Sequence, residues 1–100
     1  MRVEFKFNSA RIEQDGYYLA DVHHTVKKVF NSCNLPCVSD SENLVFAGTG
    51  KKDDYANMRS CIMELLTSDW FLQYCSSCLY SDSDIKEDIL SQAWKVKSSA

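Results

Sequence analysis

Four of the five cysteines lie in two close pairs, the arrangement in this chain most suggestive of chemistry. Cys33 and Cys37 follow a C-x3-C spacing, and Cys75 and Cys78 follow C-x2-C. Two such pairs of thiolates are typical of a tetrahedral zinc site, and C-x2-C also occurs in thiol redox motifs. A metal- or thiol-dependent protein that uses these four residues is therefore one alternative function.

Two other stretches contain residue types that bind ligands. Residues 48–52 place two glycines and two lysines before a predicted helix, which is a composition that can hold an anion. Val45 stands where a Walker loop needs glycine, so that motif is absent. His23 and His24 are adjacent on a predicted helix, and their side chains diverge by about 100°, so they cannot share one metal. A small-ligand or enzymatic pocket at His23 or at this loop is a second alternative, beside the plainer interpretation of a packed histidine and a flexible loop.

The region from Trp70 to Asp88 combines aromatic with acidic residues. Acidic side chains at the start of a helix usually complement its dipole, and aromatic side chains are usually core. Together, however, they are also typical of a contact surface for a partner with a basic surface. The predicted partner-binding residues are Trp70, Tyr74, Tyr80, Asp82, Asp84, Glu87 and Asp88.

The overall composition is that of one globular domain covering residues 1–100, with 45% hydrophobic and 25% charged residues. A net charge of −3 disfavours direct nucleic-acid binding, which needs a basic surface. The sequence shows neither a secretory leader nor a membrane span, so it predicts a cytoplasmic protein. Free cysteines fit such a reducing compartment.

Apolar spacing predicts the elements that must position these residues. Residues 2–8 alternate apolar and polar side chains as a half-buried strand does. Residues 14–16 break this pattern, and a helix with an apolar stripe follows to about Ser32. Asn34 can end this helix, and Pro36 bars its continuation. The further predicted strands are 37–39 and 44–47, which form a hairpin, and 76–81.

The stretch from Asp53 to Cys75 has the longest helical period in the chain. Asp53 or Asp54 is the predicted N-cap, and residues 67–69 predict a break before a short turn. A last helix is predicted after Ser83 and Asp84, with Glu87 completing a capping box. The apolar face of the central helix is predicted to comprise Tyr55, Met58, Ile62, Leu65 and Leu66.

The order β-α-β-β-α-β predicts an α+β fold of the ferredoxin-like type, with an antiparallel sheet, helices on one face and an added C-terminal helix. In that topology the two cysteine pairs lie at opposite ends of the domain, too far apart for metal bonds of about 2.3 Å. Phe5 and Phe7 share the core face with Val3, so the open face lacks the aromatic platform that sheet-type RNA binders use.

We therefore expect a small, acidic, non-enzymatic domain that binds a partner protein, with no cofactor and no metal. It would act as an inhibitor or adaptor by occupying the partner's surface. Inhibitors carried by phages and mobile elements, such as anti-CRISPR proteins, share its size and charge, which is analogy alone. Homodimerisation through an edge strand is compatible with this expectation.

Overall fold

The computed structural model describes residues 1–83 and 85–91. They form an α+β fold with one five-stranded sheet in the order β2-β3-β1-β4-β5, and every strand pairing is antiparallel. No helix within the described residues is long and apolar enough to cross a membrane. The elements are β1 Arg2–Phe7, α1 Ser9–Gln14, α2 Leu19–Ser32, β2 Cys37–Asp40, β3 Asn43–Ala47, α3 Asp54–Leu66, α4 Asp69–Tyr74, β4 Cys75–Asp82 and β5 Ile85–Asp88.

Strand β1 is the centre of the sheet and of the core. Val3, Phe5 and Phe7 are buried, while the residues between them lie on the opposite face, as the alternation predicts. Register places Phe46 of β3 and Tyr80 of β4 beside Val3, so all three share the buried face. The helices cover this face, and their buried side chains belong to the same core cluster.

Helix α2 follows the predicted apolar stripe. Val22, Val26 and Phe30 are buried against the sheet, and the Phe30 ring stacks on Phe46 with centroids 4.2 Å apart. Asn34 ends the helix with φ 60°, the left-handed conformation that asparagine tolerates.

The predicted break in the central segment is confirmed. Helix α3 ends at Leu66, and α4 begins at Asp69 after the short connection at Thr67 and Ser68. The predicted face of α3 is wrong at Tyr55, whose side chain is 54% exposed. Cys61 takes a place on the buried face instead, with 1% exposure.

Helix α1 was not predicted, because six residues are too few to show a helical period. Its start is nevertheless marked by Asn8, whose side chain accepts a hydrogen bond from the Arg11 backbone N–H at 3.1 Å. Ile12 anchors the helix in the core with no exposed surface.

The prediction of a last helix capped at Ser83 and Asp84 is wrong. Ser83 turns the chain with φ 53°, and strand β5 then pairs with β4, so Glu87 lies opposite Tyr80 in the sheet. Serine and aspartate favour turns as well as caps, so the signal was ambiguous. Helical structure begins only at residue 89, where the Asp88 carboxylate accepts the Ser91 N–H at 3.0 Å. The rest of the predicted helix, including Trp94, and residue 84 lie outside the described residues.

Candidate functional site

One candidate site is an open groove of about 740 Å³ between the start of α2 and helix α4. One wall is the turn between α1 and α2 together with the first turns of α2, and the other wall is α4. We call it the α2–α4 groove. Its lining residues are Asp15, Tyr17, Asp21, Val22, Thr25, Asp69, Trp70, Gln73 and Tyr74.

Asp15 ties the two walls of the groove together. Its Oδ2 accepts hydrogen bonds from the Tyr74 hydroxyl at 2.8 Å and from Gln73 Nε2 at 3.0 Å. Arg11 lies beside the same oxygen, with Nε 3.6 Å away. Burial and this hydrogen bond to a carboxylate raise the pKa of Tyr74, so its hydroxyl stays a donor. The floor of the groove is therefore fixed, and Asp15 acts there as a positioning residue.

Aromatic side chains give the groove its apolar surface. Tyr17 is 57% exposed, and its ring meets Tyr74 edge-on with centroids 6.3 Å apart. Trp70 is half-buried and contacts Phe71 edge-on, with centroids 5.9 Å apart. Rigid aromatic rings held partly exposed in this way are the side chains that most often anchor protein partners.

Carboxylates supply the charge of the groove. Asp21 and Asp69 are exposed and lie in the first turns of α2 and α4, where a negative charge also complements the helix dipole. Lysine, arginine and histidine are absent from the groove lining among the described residues. The groove therefore combines aromatic surface with negative charge, a combination that suits a cationic side chain.

The structure divides the predicted partner-binding residues between the groove and the β4–β5 hairpin. Trp70 and Tyr74 line the groove, although Tyr74 is largely buried beneath it. Tyr80 is only 2% exposed on the covered face of β4, and burial raises the pKa of its hydroxyl. Tyr80 is thus a core residue, because its position in β4 pairs it with Val3.

The acidic residues of the hairpin do not form one surface. Glu87 lies on the helix-covered face and pairs with Arg59 of α3 at 3.1 Å, while Asp88 lies on the opposite face and caps the following turn. Asp82 is 4.0 Å from the N-terminal ammonium of Met1. Glu87 and Asp88 therefore each make a contact within the domain, on opposite faces of the sheet, and Asp84 lies outside the described residues.

The two cysteine pairs are not assembled into a common site. Cys75 and Cys78 are buried on β4, and burial raises the pKa of Cys75 to about 12 and that of Cys78 further. Cys37 is exposed on β2, and the close neighbour of Cys33 is Cys61 on α3. Within residues 1–83 and 85–91, no group of three or more histidine, cysteine or acidic side chains could hold a metal ion.

The other two candidate ligand sites are filled by the protein itself. His23 is 4% exposed, and its Nδ1 shares a hydrogen bond of 2.8 Å with Asp40. In the loop at residues 48–52, the backbone N–H groups of Thr49, Gly50 and Lys51 all donate to the Asp54 carboxylate. An internal anion already occupies the position that a phosphate would take.

Sequence reasoning missed Asp15, Tyr17, Asp21 and Asp69 as groove residues. The turn at Gly16, with φ 87°, presents two adjacent tyrosines, and Tyr18 is 71% exposed. Consecutive tyrosines beside a glycine turn were a usable signal, because loops held by a rigid scaffold often carry binding residues. Comparison of the chain with protein-family models, curated proteins and solved structures returned no match.

Proposed function

We propose that this chain is a non-enzymatic protein-binding domain that acts as an inhibitor or adaptor by occupying a basic surface of a partner protein. The observation that supports the proposal best is the α2–α4 groove, which combines exposed Tyr17 and half-buried Trp70 with three carboxylates. A lysine or arginine of the partner would enter the groove, where it meets aromatic rings and acidic oxygens.

The rigid support of the groove also favours binding. Tyr74 is held by Asp15, and Trp70 packs on the core at Phe71, so these two side chains lose little freedom when a partner binds. Asp21 and Asp69 have no salt-bridge partner among the described residues, so both remain available to a basic partner.

The experiment begins with affinity purification from the host lysate at low and moderate salt, with the wild-type chain as bait. A protein recovered in stoichiometric amount is then made recombinantly, and its affinity is measured for three forms of the chain. The Asp21→Asn/Asp69→Asn variant is expected to bind roughly tenfold more weakly, with a reduced salt dependence, since two exposed charge pairs are lost. Tyr17→Ala is expected to weaken binding by a similar factor through the aromatic contact.

The matched control is Asp82→Asn/Asp88→Asn, which removes the same charge from the β4–β5 hairpin. Asparagine at position 88 can still cap the next turn. This control is expected to keep full affinity. Equal losses in both double variants would assign the effect to net charge alone, and a loss confined to the hairpin variant would move the binding surface to β4–β5.

We also propose that strands β1 to β4 with α2 and α3 form a ferredoxin-like unit, extended by β5 at one edge. Support comes from the neighbours of β1, which are β3 and β4, and from the antiparallel pairing throughout. Placement of both main helices on one face agrees with the split β-α-β arrangement.

A further inference from the structure

A pair of thiols joins the two main helices, and the proposed binding function does not use it. Cys33 follows the last residue of α2, and Cys61 lies in the middle of α3. Their Sγ atoms are 2.8 Å apart. Bonded sulfur atoms are about 2.05 Å apart, so a shift of less than about 1 Å would bring this pair to bonding distance.

The two thiols differ in accessibility. Cys33 is half-buried, with its sulfur 3.9 Å from the Ser32 hydroxyl. Cys61 is 1% exposed, and its thiol faces the Val29 carbonyl oxygen at 3.5 Å as well as the Cys33 sulfur. Burial, followed by the contact with Cys33, raises the pKa of Cys61 to about 12. A reagent from solvent therefore reaches Cys33 first.

The other thiols are less well placed to compete. Cys75 and Cys78 are buried on β4, so a reagent from solvent does not reach them. Cys37 is exposed on the edge strand β2, and its thiol donates to the Ser39 carbonyl oxygen at 3.4 Å. The geometry thus favours pairing of Cys33 with Cys61 over the Cys33–Cys37 pairing that the C-x3-C spacing suggests.

We propose that Cys33 and Cys61 form a reversible disulfide that locks α2 to α3 when the chain meets oxidised glutathione. The Cys33 thiolate attacks one sulfur of glutathione disulfide, forming a mixed disulfide and releasing one glutathione thiolate. The Cys61 thiol then loses its proton to solvent, attacks the Cys33 sulfur and releases the second glutathione. The protein loses two hydrogen atoms in total, and one glutathione disulfide becomes two glutathione molecules.

The bond would stabilise the fold because it closes a long loop. The two residues are 28 positions apart, and the cross-link spans β2, β3 and the connection to α3. Closing such a loop restricts the unfolded chain, which stabilises the folded state. Cys33 lies at the C-terminal end of α2 and Cys61 in the interior of α3, so the dipole of a helix N-terminus activates neither thiol. Because neither thiol is activated in this way, we expect the disulfide to form slowly, under sustained oxidation.

The test incubates the full chain in glutathione buffers of increasing oxidation and maps the disulfides by mass spectrometry of non-reduced peptides. The expected product is the Cys33–Cys61 disulfide, with a midpoint of thermal unfolding raised by roughly 5–10 °C and restored by dithiothreitol. Cys37→Ser is the matched control and is expected to behave as wild type. Cys33→Ser is expected to lose both the cross-link and the thermal shift.

Three results would overturn the inference. One is a Cys33–Cys37 disulfide as the main product, and another is a glutathione adduct that persists on Cys33 in the folded chain. The third is a chain that stays reduced in buffers that oxidise the same chain in urea. The test removes the cross-link with Cys33→Ser rather than with a change at Cys61, because serine is better tolerated at the half-buried position 33 than at the buried position 61. The variant is therefore expected to fold, and its thermal shift can be compared with that of the wild type.

Discussion

Replacing Phe5 with alanine is expected to destabilise the folded chain by about 3–5 kcal/mol, a large part of the total stability of a small domain. Phe5 has no exposed surface, and its ring contacts four other aromatic rings at centroid distances from 5.7 to 6.1 Å. Because those rings come from β1, α2, β3 and α4, a cavity at this position weakens the packing of the sheet against helices α2 and α4. The contacted rings are Phe7, Phe30, Phe46 and Phe71.

Urea denaturation followed by circular dichroism measures this effect directly, and the midpoint of thermal unfolding is expected to fall by at least about 15 °C. Tyr18→Ala is the matched control, because it removes an aromatic ring that is 71% exposed. The control is expected to change stability by about 0.5 kcal/mol or less. A similar loss in both variants would show that Phe5 is not the centre of the core.

The regular part of this fold is readable in the sequence because its periods are clear. Alternation in β1 and the spacing of Val22, Val26 and Phe30 in α2 each identify a buried face from residue types alone. The irregular part is hidden for a physical reason. Segments as short as α1 and β5 show two full periods at most, and tertiary pairing decides their conformation.

The candidate groove was beyond sequence reasoning because its two walls are far apart in the chain. Asp15 and Tyr17 come from the turn between α1 and α2, while Trp70 and Tyr74 come from α4. The Asp15–Tyr74 hydrogen bond spans 59 positions of the sequence. Trp70 could be singled out from its type alone, but Asp15 and Asp21 could not, since only the fold brings them beside it. The same holds for Cys61, whose nearness to Cys33 depends on how α2 packs on α3.

The acidic residues near β5 were predicted to lie on a helix, whereas the structure places residues 85–88 in a strand. Four acids close in sequence predict one acidic surface on a helix, where residues three and four apart are neighbours. On a strand, successive side chains alternate between faces, so Glu87 and Asp88 point in opposite directions. The error in secondary structure therefore placed Glu87 and Asp88 on one face, whereas the strand separates them.

Replacing Asp54 with alanine is expected to lower the midpoint of thermal unfolding by on the order of 10 °C. The Asp54 carboxylate accepts four hydrogen bonds, from the backbone N–H groups of Thr49, Gly50 and Lys51 and from the Thr49 hydroxyl, at 2.7 to 3.1 Å. Alanine would leave these donors without their acceptor at the start of α3. A methyl group on Gly48 would lie 2.8 Å from the same carboxylate, so Gly48→Ala is expected to weaken the loop as well.

The contribution of Asp54 also has a defined pH dependence. Burial alone would raise the pKa of this carboxyl group, but the hydrogen bonds from Thr49, Gly50 and Lys51 outweigh it and hold the pKa below its ordinary value. Since the folded-state pKa is depressed, the stabilisation is complete above the unfolded pKa of about 4 and is lost as the pH falls through the folded-state pKa. The stability difference between wild type and Asp54→Asn is therefore expected to shrink in acid.

Asp53→Ala is the matched control, because this neighbouring aspartate precedes α3 at an exposed position and its side chain makes no capping hydrogen bond within the described residues. It is expected to leave both the midpoint and its pH dependence nearly unchanged. Equal effects at the two positions would mean that negative charge near the helix N-terminus, rather than the bound loop, provides the stabilisation. The comparison separates a helix-dipole effect from a set of directed hydrogen bonds. The sequence alone does not separate them, because Asp53 and Asp54 are adjacent residues of the same type.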